Sequence, residues 1–381
     1  MSKKVSLIYT PAYLKYGFGE DHPFNSRRLE LTLELSGTLG ILSEKDILEP
    51  KMATEKDLQL FHSPEYIQAV SRCIRDNKYG LASEDNTITP EIHRAASFIV
   101  GGTIMAADLL LSENYDHVFN IGGGLHHAQR ELSSGFCVYN DLVIAIKYIQ
   151  ENYNLRIAYL DLDAHHGDGV QNAFYNDPQV LTISIHETGR YLFPGTGTIF
   201  ERGKNAGYGY AVNIPLEAFS ENDSYLHVLD NVVYPLLKEF KPDILIAQCG
   251  CDGHILDPLT HLTLTMDGFL EIYKRVHSFA HEFTQGKLLC TGGGGYNPWQ
   301  VVPRAWTALW SEISERPFTP EIPASLVNKW ISISGEQIPA RITDGDSFCI
   351  AIPRKKEIRE KNFMTAAKVL NCILFDWKKG I

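Results

Sequence analysis

The sequence predicts an α/β fold: a single domain in which a mostly parallel β-sheet carries helices on both faces. Three observations lead there. Short, continuous apolar runs recur along the chain, the pattern of strands buried on both sides. Helical stretches alternate with them, as in strand–helix–strand crossovers. Nothing between Val5 and Ile313 reads as a linker or an internal repeat.

The expected strands are Val5–Tyr9, His117–Ile121, Arg156–Asp161, Val180–Ile185, Asp243–Gln248 and Lys287–Thr291. Helices are expected near Glu91–Leu111, Asn140–Asn152, Asp223–Phe240, Met266–Phe283 and Pro303–Ile313. After Arg316 the composition changes, with Pro317, Pro320 and Pro323 close together. Residues 1–316 are therefore expected to form the domain, and 317–381 an irregular extension packed on it. The mixed-charge run Lys355–Lys361 reads as a solvated helix face.

Hydrophobic residues make up 44 % of the 381 positions and charged residues 21 %, enough for a sizeable core. The net charge of −11 disfavours a phosphate backbone, so no nucleic-acid partner is expected. It suits a cationic partner such as a lysine-rich protein surface. The apolar run after Met1–Lys4 is too short for a signal peptide, and no apolar stretch approaches the roughly 20 residues of a membrane span. Seven scattered cysteines, an odd number, read as reduced thiols of a cytoplasmic protein.

The informative residues sit just after the strands, where ligands bind in open α/β sheets. Strand 117–121 runs into Gly122-Gly123-Gly124-Leu125-His126-His127, and strand 156–161 into Asp161-Leu162-Asp163-Ala164-His165-His166-Gly167-Asp168. Strand 243–248 leads to Cys249-Gly250-Cys251-Asp252, and strand 287–291 to four glycines and Tyr296. Each feature alone has a bland reading: a helix cap, a satisfied core histidine, a tight turn. Their shared position favours one composite site.

Asp163 and His165 are two apart, so strand geometry would put them on one side, within reach of a single cation. Adding Asp252 gives two carboxylates and one imidazole, a hydrolytic metal site with room for water. The tandem His126-His127 suits acid–base work, with Asp161 and Asp168 as carboxylates that orient the imidazoles. A phenol at Tyr296 can donate to a developing oxyanion. Neither glycine run carries the Lys-Ser/Thr of a phosphate-binding loop. Cys249 and Cys251 read as small packed residues.

Taken together, Gly122–His127, Ser134–Cys137, Asp161–Val170, Phe193–Gly197 and Gly292–Tyr296 resemble the histone deacetylase superfamily, with the arginase/deacetylase fold, over about Tyr9–Trp306. His22–Asn25 and His186–Tyr191 look most like its bacterial acetoin utilization proteins. The resemblance implies a metal-dependent deacetylase whose catalytic domain is residues 1–316. It implies one Zn2+ per chain, or Fe2+, on Asp163, His165 and Asp252. His127 is implied as general base and acid with Asp168 behind it, His126 as electrostatic partner with Asp161 behind it, and Tyr296 as the carbonyl-polarising phenol.

Phe136 and Phe193 match aromatic walls around a lysine's methylenes. Gly135 matches a backbone carbonyl facing the amide, Leu259 an apolar wall, and Asp85 a rim carboxylate. Structural K+ or Na+ is implied twice: at Asp161, Asp163, His165, Ser184 and the Ile185 backbone, and at backbone oxygens near Phe174, Asp177 and Val180. Arg28 matches an arginine beneath the site, near an internal acetate exit. The implied substrate is an acetylated protein, such as an acyl-CoA synthetase. Acetylpolyamines stay open as an alternative. A binuclear, arginase-like ureohydrolase has the faint motifs Asp163-Ala164-His165 and Asp252-Gly253-His254 with Asp257, but it does not need the tandem histidines or Tyr296; a non-catalytic scaffold would predict the loss of a site residue, and none is missing. Oligomeric state is not read from these residues.

Overall fold

Eight strands form one sheet in the order β2-β1-β3-β8-β7-β4-β5-β6, and every neighbouring pair is parallel. They are β1 (Val5–Ile8), β2 (Ile47–Leu48), β3 (His117–Asn120), β4 (Ile157–Asp161), β5 (Val180–Glu187), β6 (Ala211–Leu216), β7 (Ile244–Gln248) and β8 (Leu288–Thr291). A computed structural model provides the coordinates and describes residues 4–19, 22–112, 115–345 and 351–379. β3, β4, β5, β7 and β8 are buried at every residue, which is why they read as unbroken apolar runs.

The six expected strands are present, and two more border the sheet. β2 has only two residues, too few for any periodicity. β6 contains Asn213 and Pro215, which disguise it. Proline is tolerated there because β6 is an edge strand with one neighbour.

Helices pack in two groups. Pro90–Leu111 lies against Asp141–Asn152 and β3, while Val302–Ser314 lies against Arg27–Thr38 and Met266–Thr284. The 22-residue helix Pro90–Leu111 is, contrary to expectation, long and apolar enough to cross a membrane. Its apolar residues, among them Ile92, Ile99, Val100 and Leu110, are spent instead on the domain core. The expected helix 223–240 is a continuous path with a π-helical stretch at Leu229–Val233, just before Pro235. Proline lacks the N–H for an ordinary helical bond, and the widened turn absorbs the defect.

The segment after Arg316 is not irregular. It contains helices Ala324–Ser334 and Lys355–Lys379. The second runs along β6 and buries Asn362, Ala366, Val369, Ile373 and Asp376, a narrow seam at alternating spacings of four and three. Arg202 anchors it by an ion pair to Asp376 at 2.6 Å. Most of Lys355–Lys361 is solvent-exposed, as a charged helix face should be.

Strand order decides the location of the chemistry. β3, β8, β7 and β4 are consecutive neighbours in the middle of the sheet. Their last residues align in register: Asn120 with Thr291, Thr291 with Gln248, and Gln248 with Asp161. The four loops singled out in the sequence therefore leave the sheet side by side.

Candidate active site

Asp163, His165 and Asp252 converge, with ligand atoms within 4.8 Å of one another. His165 Nδ1 lies 2.8 Å from Asp252 Oδ2 and 3.1 Å from Asp163 Oδ1. The convergence does not come from strand alternation, because β4 ends at Asp161 and residues 163–165 form a bend. Backbone donors shape the bend instead: His165 N–H donates to Asp163 Oδ1 at 3.0 Å and Ala164 N–H to Asp252 Oδ1 at 2.8 Å.

All three side chains are buried. Burial pushes the Asp252 carboxyl up to about 8, and the neighbouring Asp163 adds to the rise. Burial acts on Asp163 in the same direction, but His126 and His165 outweigh it and hold that carboxyl well below the usual range. Two carboxylates this close and this dry call for a cation between them.

The tandem histidines stand beside this cluster. Asp161 Oδ2 accepts from His126 Nδ1 at 2.8 Å, Asp168 Oδ1 accepts from His127 Nδ1 at 2.7 Å, and the two Nε2 atoms are 3.0 Å apart. The two imidazoles are tuned in opposite directions. Burial would lower His126, but Asp161 and Asp163 override it and push it up to about 9. Burial lowers His127 and the charge on His126 lowers it further, to about 4, against the pull of Asp168. One ring is thus poised to carry charge and the other to accept a proton.

Tyr296 faces the cluster, its ring centroid 6.2 Å from that of His165. Its backbone N–H donates to Asp257 Oδ2 at 2.7 Å, and Asp257 Oδ1 accepts from Leu259 N–H at 3.0 Å. Phe193 is 48 % exposed, with its ring 5.0 Å from His127 and 6.5 Å from His165, at right angles to the former. Phe136 lies 5.7 Å from Tyr296. Gly135 has φ +51°, and a Cβ there would fall 2.3 Å from the His127 ring and 2.9 Å from Phe193. Any side chain would close the gap between those rings.

The remaining expected residues surround this centre. Asp85 is exposed and acts electrostatically on His22, whose ring packs 4.5 Å from Phe136. Leu259 is half-buried in the loop after Asp252. Arg28 is buried beneath, donating to the Gly295 carbonyl at 2.7 Å, with its guanidinium 4.3 Å from the Phe24 ring and 5.0 Å from Trp306. Asp161 pairs in register with Ser184, two residues of the first expected monovalent site. Phe174, Asp177 and Val180 share one turn, where Asp177 N–H donates to the Phe174 carbonyl at 2.9 Å. Cys249 and Cys251 are fully buried, and burial raises both thiols, which suits packing rather than reactivity.

Several supporting residues went unread in the sequence. Gln248, the last residue of β7, donates to Asp163 Oδ2 at 2.7 Å. Tyr159 donates to Asp161 Oδ2 at 2.5 Å, and Gln129 to Asp168 Oδ2 at 2.9 Å. A polar residue ending a fully buried strand, as Gln248 does, was the available signal. His254 and Asp257, the faint ureohydrolase motif, are engaged elsewhere. His254 Nε2 pairs with Asp344 at 2.9 Å, and Asp257 holds the Tyr296 and Leu259 backbone.

Comparison with known proteins agrees with this geometry. Residues 22–313 match the family model described as the histone deacetylase domain. The chain is 46 % identical over 373 residues to the acetoin utilization protein AcuC of Bacillus subtilis (strain 168), covering 96 % of both chains. It is 43 % identical over 369 residues to the same-named protein of Staphylococcus aureus (strain MSSA476), covering 95 % of both. Among solved structures, a histone deacetylase homologue complexed with SAHA superposes with a TM-score of 0.83 at 30 % identity, over 95 % of this chain and all of that one. A homologue from Aquifex aeolicus gives 0.82 at 29 % identity, over 96 % of this chain and all of that one.

Proposed function

The chain belongs to the histone deacetylase family and is a deacetylase, and from that premise we propose that it removes the acetyl group from acetyl-lysine in a protein substrate, releasing acetate. One observation carries the reading. Two oppositely tuned Asp–His pairs stand beside a buried Asp–His–Asp cluster, with the Phe193 ring against His127 and the Phe136 ring against Tyr296.

The family fold implies a metal cofactor, and the residues fit one. Two carboxylate oxygens and one imidazole nitrogen suit Zn2+ or Fe2+, and zinc is the reading we adopt. The wall opposite is cut back to make room: a Cβ on Gly294 would fall 2.2 Å from Asp252 Oδ2 and 2.7 Å from Asp163 Oδ2. Held by Asp163, His165 and Asp252, the ion would polarise the acetyl carbonyl and acidify a water beside it.

The chain's own groups supply the rest. Neutral His127 accepts the proton that the water loses as it attacks the carbonyl carbon. Asp168 accepts from Nδ1 and so keeps the ring in the tautomer whose lone pair is on Nε2. His126, charged against Asp161, stabilises the negative charge that develops. Tyr296 donates to the former carbonyl oxygen. The C–N bond then breaks, and the histidine pair returns the proton to the leaving amine. Phe136 and Phe193 would sandwich an unbranched aliphatic chain, Gly135 and Leu259 would complete the wall, and Asp85 would hold substrate backbone at the rim. Arg28 would guide acetate out below, and the Asp161–Ser184 and Phe174–Val180 regions would hold K+ or Na+.

The likeness to acetoin utilization proteins favours an acetylated metabolic enzyme, such as an acyl-CoA synthetase. Free thiols at the six described cysteines favour a reducing compartment such as the cytoplasm. The test is a side-by-side rate comparison on acetyl-lysine peptides, an acetylated acyl-CoA synthetase and acetylpolyamines, each with zinc- and iron-loaded enzyme. Faster turnover of acetylpolyamines would replace the protein substrate with a small amine.

A further inference from the structure

Three histidines meet at the amino end of the sheet, at the far end of β3 from the catalytic loops. His117 opens β3, while His277 and His281, four apart and therefore on one face, come from helix Met266–Thr284. His277 Nε2 lies 3.1 Å from His117 Nε2 and 3.0 Å from His281 Nε2. All three ligand atoms fall within 4.8 Å of one another. We propose that His117, His277 and His281 form a second transition-metal site, for a divalent ion of the zinc class, separate from the catalytic centre.

Hydrogen bonding alone is a poor account of this cluster. His277 Nδ1 is 2.9 Å from Glu312 Oε1, so that nitrogen carries the proton it donates. In the neutral ring, Nε2 then has one lone pair and two imidazole nitrogens within 3.1 Å. Protonating it would offer one hydrogen to the same two neighbours. A single ion taking one lone pair from each ring resolves the competition. A tetrahedral zinc with bonds of about 2.0–2.1 Å holds its ligand nitrogens about 3.4 Å apart, close to the spacing present. The rings stand steeply to one another, at 87°, 79° and 59°, so they are not stacked against each other.

The surroundings fit an ion as well. A carboxylate behind a ligating imidazole fixes its tautomer and raises its basicity, and Glu312 stands in that position behind His277. Three imidazoles without thiolates suit Zn2+, Ni2+ or Cu2+ and not Mg2+ or Ca2+. His117 and His277 are buried while His281 is exposed, which leaves an entry path and an open position for water. A bound ion would tie β3 to helices Met266–Thr284 and Val302–Ser314, stabilising the fold by mass action.

Elemental analysis after dialysis tests the site, with zinc as the probe at a small molar excess over chelator-stripped protein. Two zinc per chain are expected in the wild type, one in His281→Ala, one in Asp252→Ala and none in the double variant. Zinc should raise the melting temperature of Asp252→Ala, and adding His281→Ala should abolish that rise. His281 is exposed, so its loss should leave the fold and the catalytic rate intact; His281→Gln gives the same reading if the alanine variant misfolds. A wild type holding one zinc, or an unchanged count on losing His281, overturns the proposal. The counts also separate this site from a binuclear catalytic centre, in which Asp252→Ala would release both ions.

Discussion

The two ends of strand β3 carry the same residue type under opposite conditions. Beyond its carboxyl end, His126, His127 and His165 stand among four buried or mostly buried aspartates, Asp161, Asp163, Asp168 and Asp252. At its amino end, His117, His277 and His281 converge on one another, and Glu312 stands behind His277. Where each imidazole has its own carboxylate, neighbours drive the rings apart in proton affinity, to about 9 and about 4. Such a pair can move protons. Where three rings point at one spot, the arrangement serves to hold an ion. Histidine clustering alone therefore does not mark catalysis.

Breaking the carboxyl end should give the largest effects. Asp252→Ala removes a metal ligand and leaves Asp163 and His165 unable to hold an ion firmly. Deacetylation should fall to background and the catalytic zinc should be lost. Full activity in this variant, assayed on an acetyl-lysine peptide, would mean the catalytic metal sits elsewhere. His281→Ala, its counterpart at the amino end, should leave kcat unchanged.

Tyr296→Phe should cost less and touch a different quantity. The proposed ligand set is Asp163, His165 and Asp252, and the Tyr296 ring stands 6.2 Å from that of His165, so metal content should stay normal. A neutral carbonyl gains less from the hydrogen bond than an oxyanion does. The loss should therefore appear in kcat and kcat/KM together, by roughly 10²–10³-fold. A near-normal kcat, measured beside metal content, would remove the phenol from the mechanism.

Phe193→Ala should be milder again. Its ring is half exposed and lies over His127, where it would contact the substrate's methylenes. Losing that contact should raise KM by roughly tenfold, the worth of about 1.4 kcal/mol of apolar burial, with little change in kcat. Unchanged KM and kcat would put Phe193 outside the substrate path.

The two ends also differ in how legible they were. The carboxyl-end residues follow strands directly, in short motifs such as Asp161–Asp168, so local spacing announced them. Even there, the reason for convergence was misjudged: a hydrogen-bonded bend, not strand alternation, brings Asp163 and His165 together. Gln248 stayed hidden, and Asp257 was visible only as part of a faint metal motif, because each supports a residue distant in sequence, Asp163 and Tyr296. The amino-end cluster joins positions 160 apart, which only the packing of a helix on β3 reveals. The central strands were plain because they are buried on both faces. β2 and helix Lys355–Lys379 lie at or against the sheet's edges, where burial is partial and the apolar pattern thins, while in β6 Asn213 and Pro215 interrupt it.

The smallest effect belongs to an ion pair at the amino end that touches neither cluster. Arg316 forks onto Asp46, just before β2, with Nη1–Oδ2 at 2.7 Å and Nη2–Oδ1 at 2.8 Å. The Arg316 hydrogen bonds are the main cause that holds the Asp46 carboxyl down at about 2, with Ser43 assisting against burial. An acid whose folded pKa is depressed stabilises the fold above its unfolded value near 4, and that contribution fades as pH falls toward 2. The Arg316 side chain is 38 % exposed, so solvent screens the pair and the net worth is about 1 kcal/mol. Asp46→Asn should therefore lower stability by about that amount at pH 7, with kcat unchanged. Urea midpoints at pH 7 and pH 3 should show the gap to wild type narrowing at the lower pH. A gap that persists unchanged would mean that the ionised carboxylate is not the source of the loss. A fall in kcat would mean that the two ends of the sheet are coupled, against the division of labour drawn here.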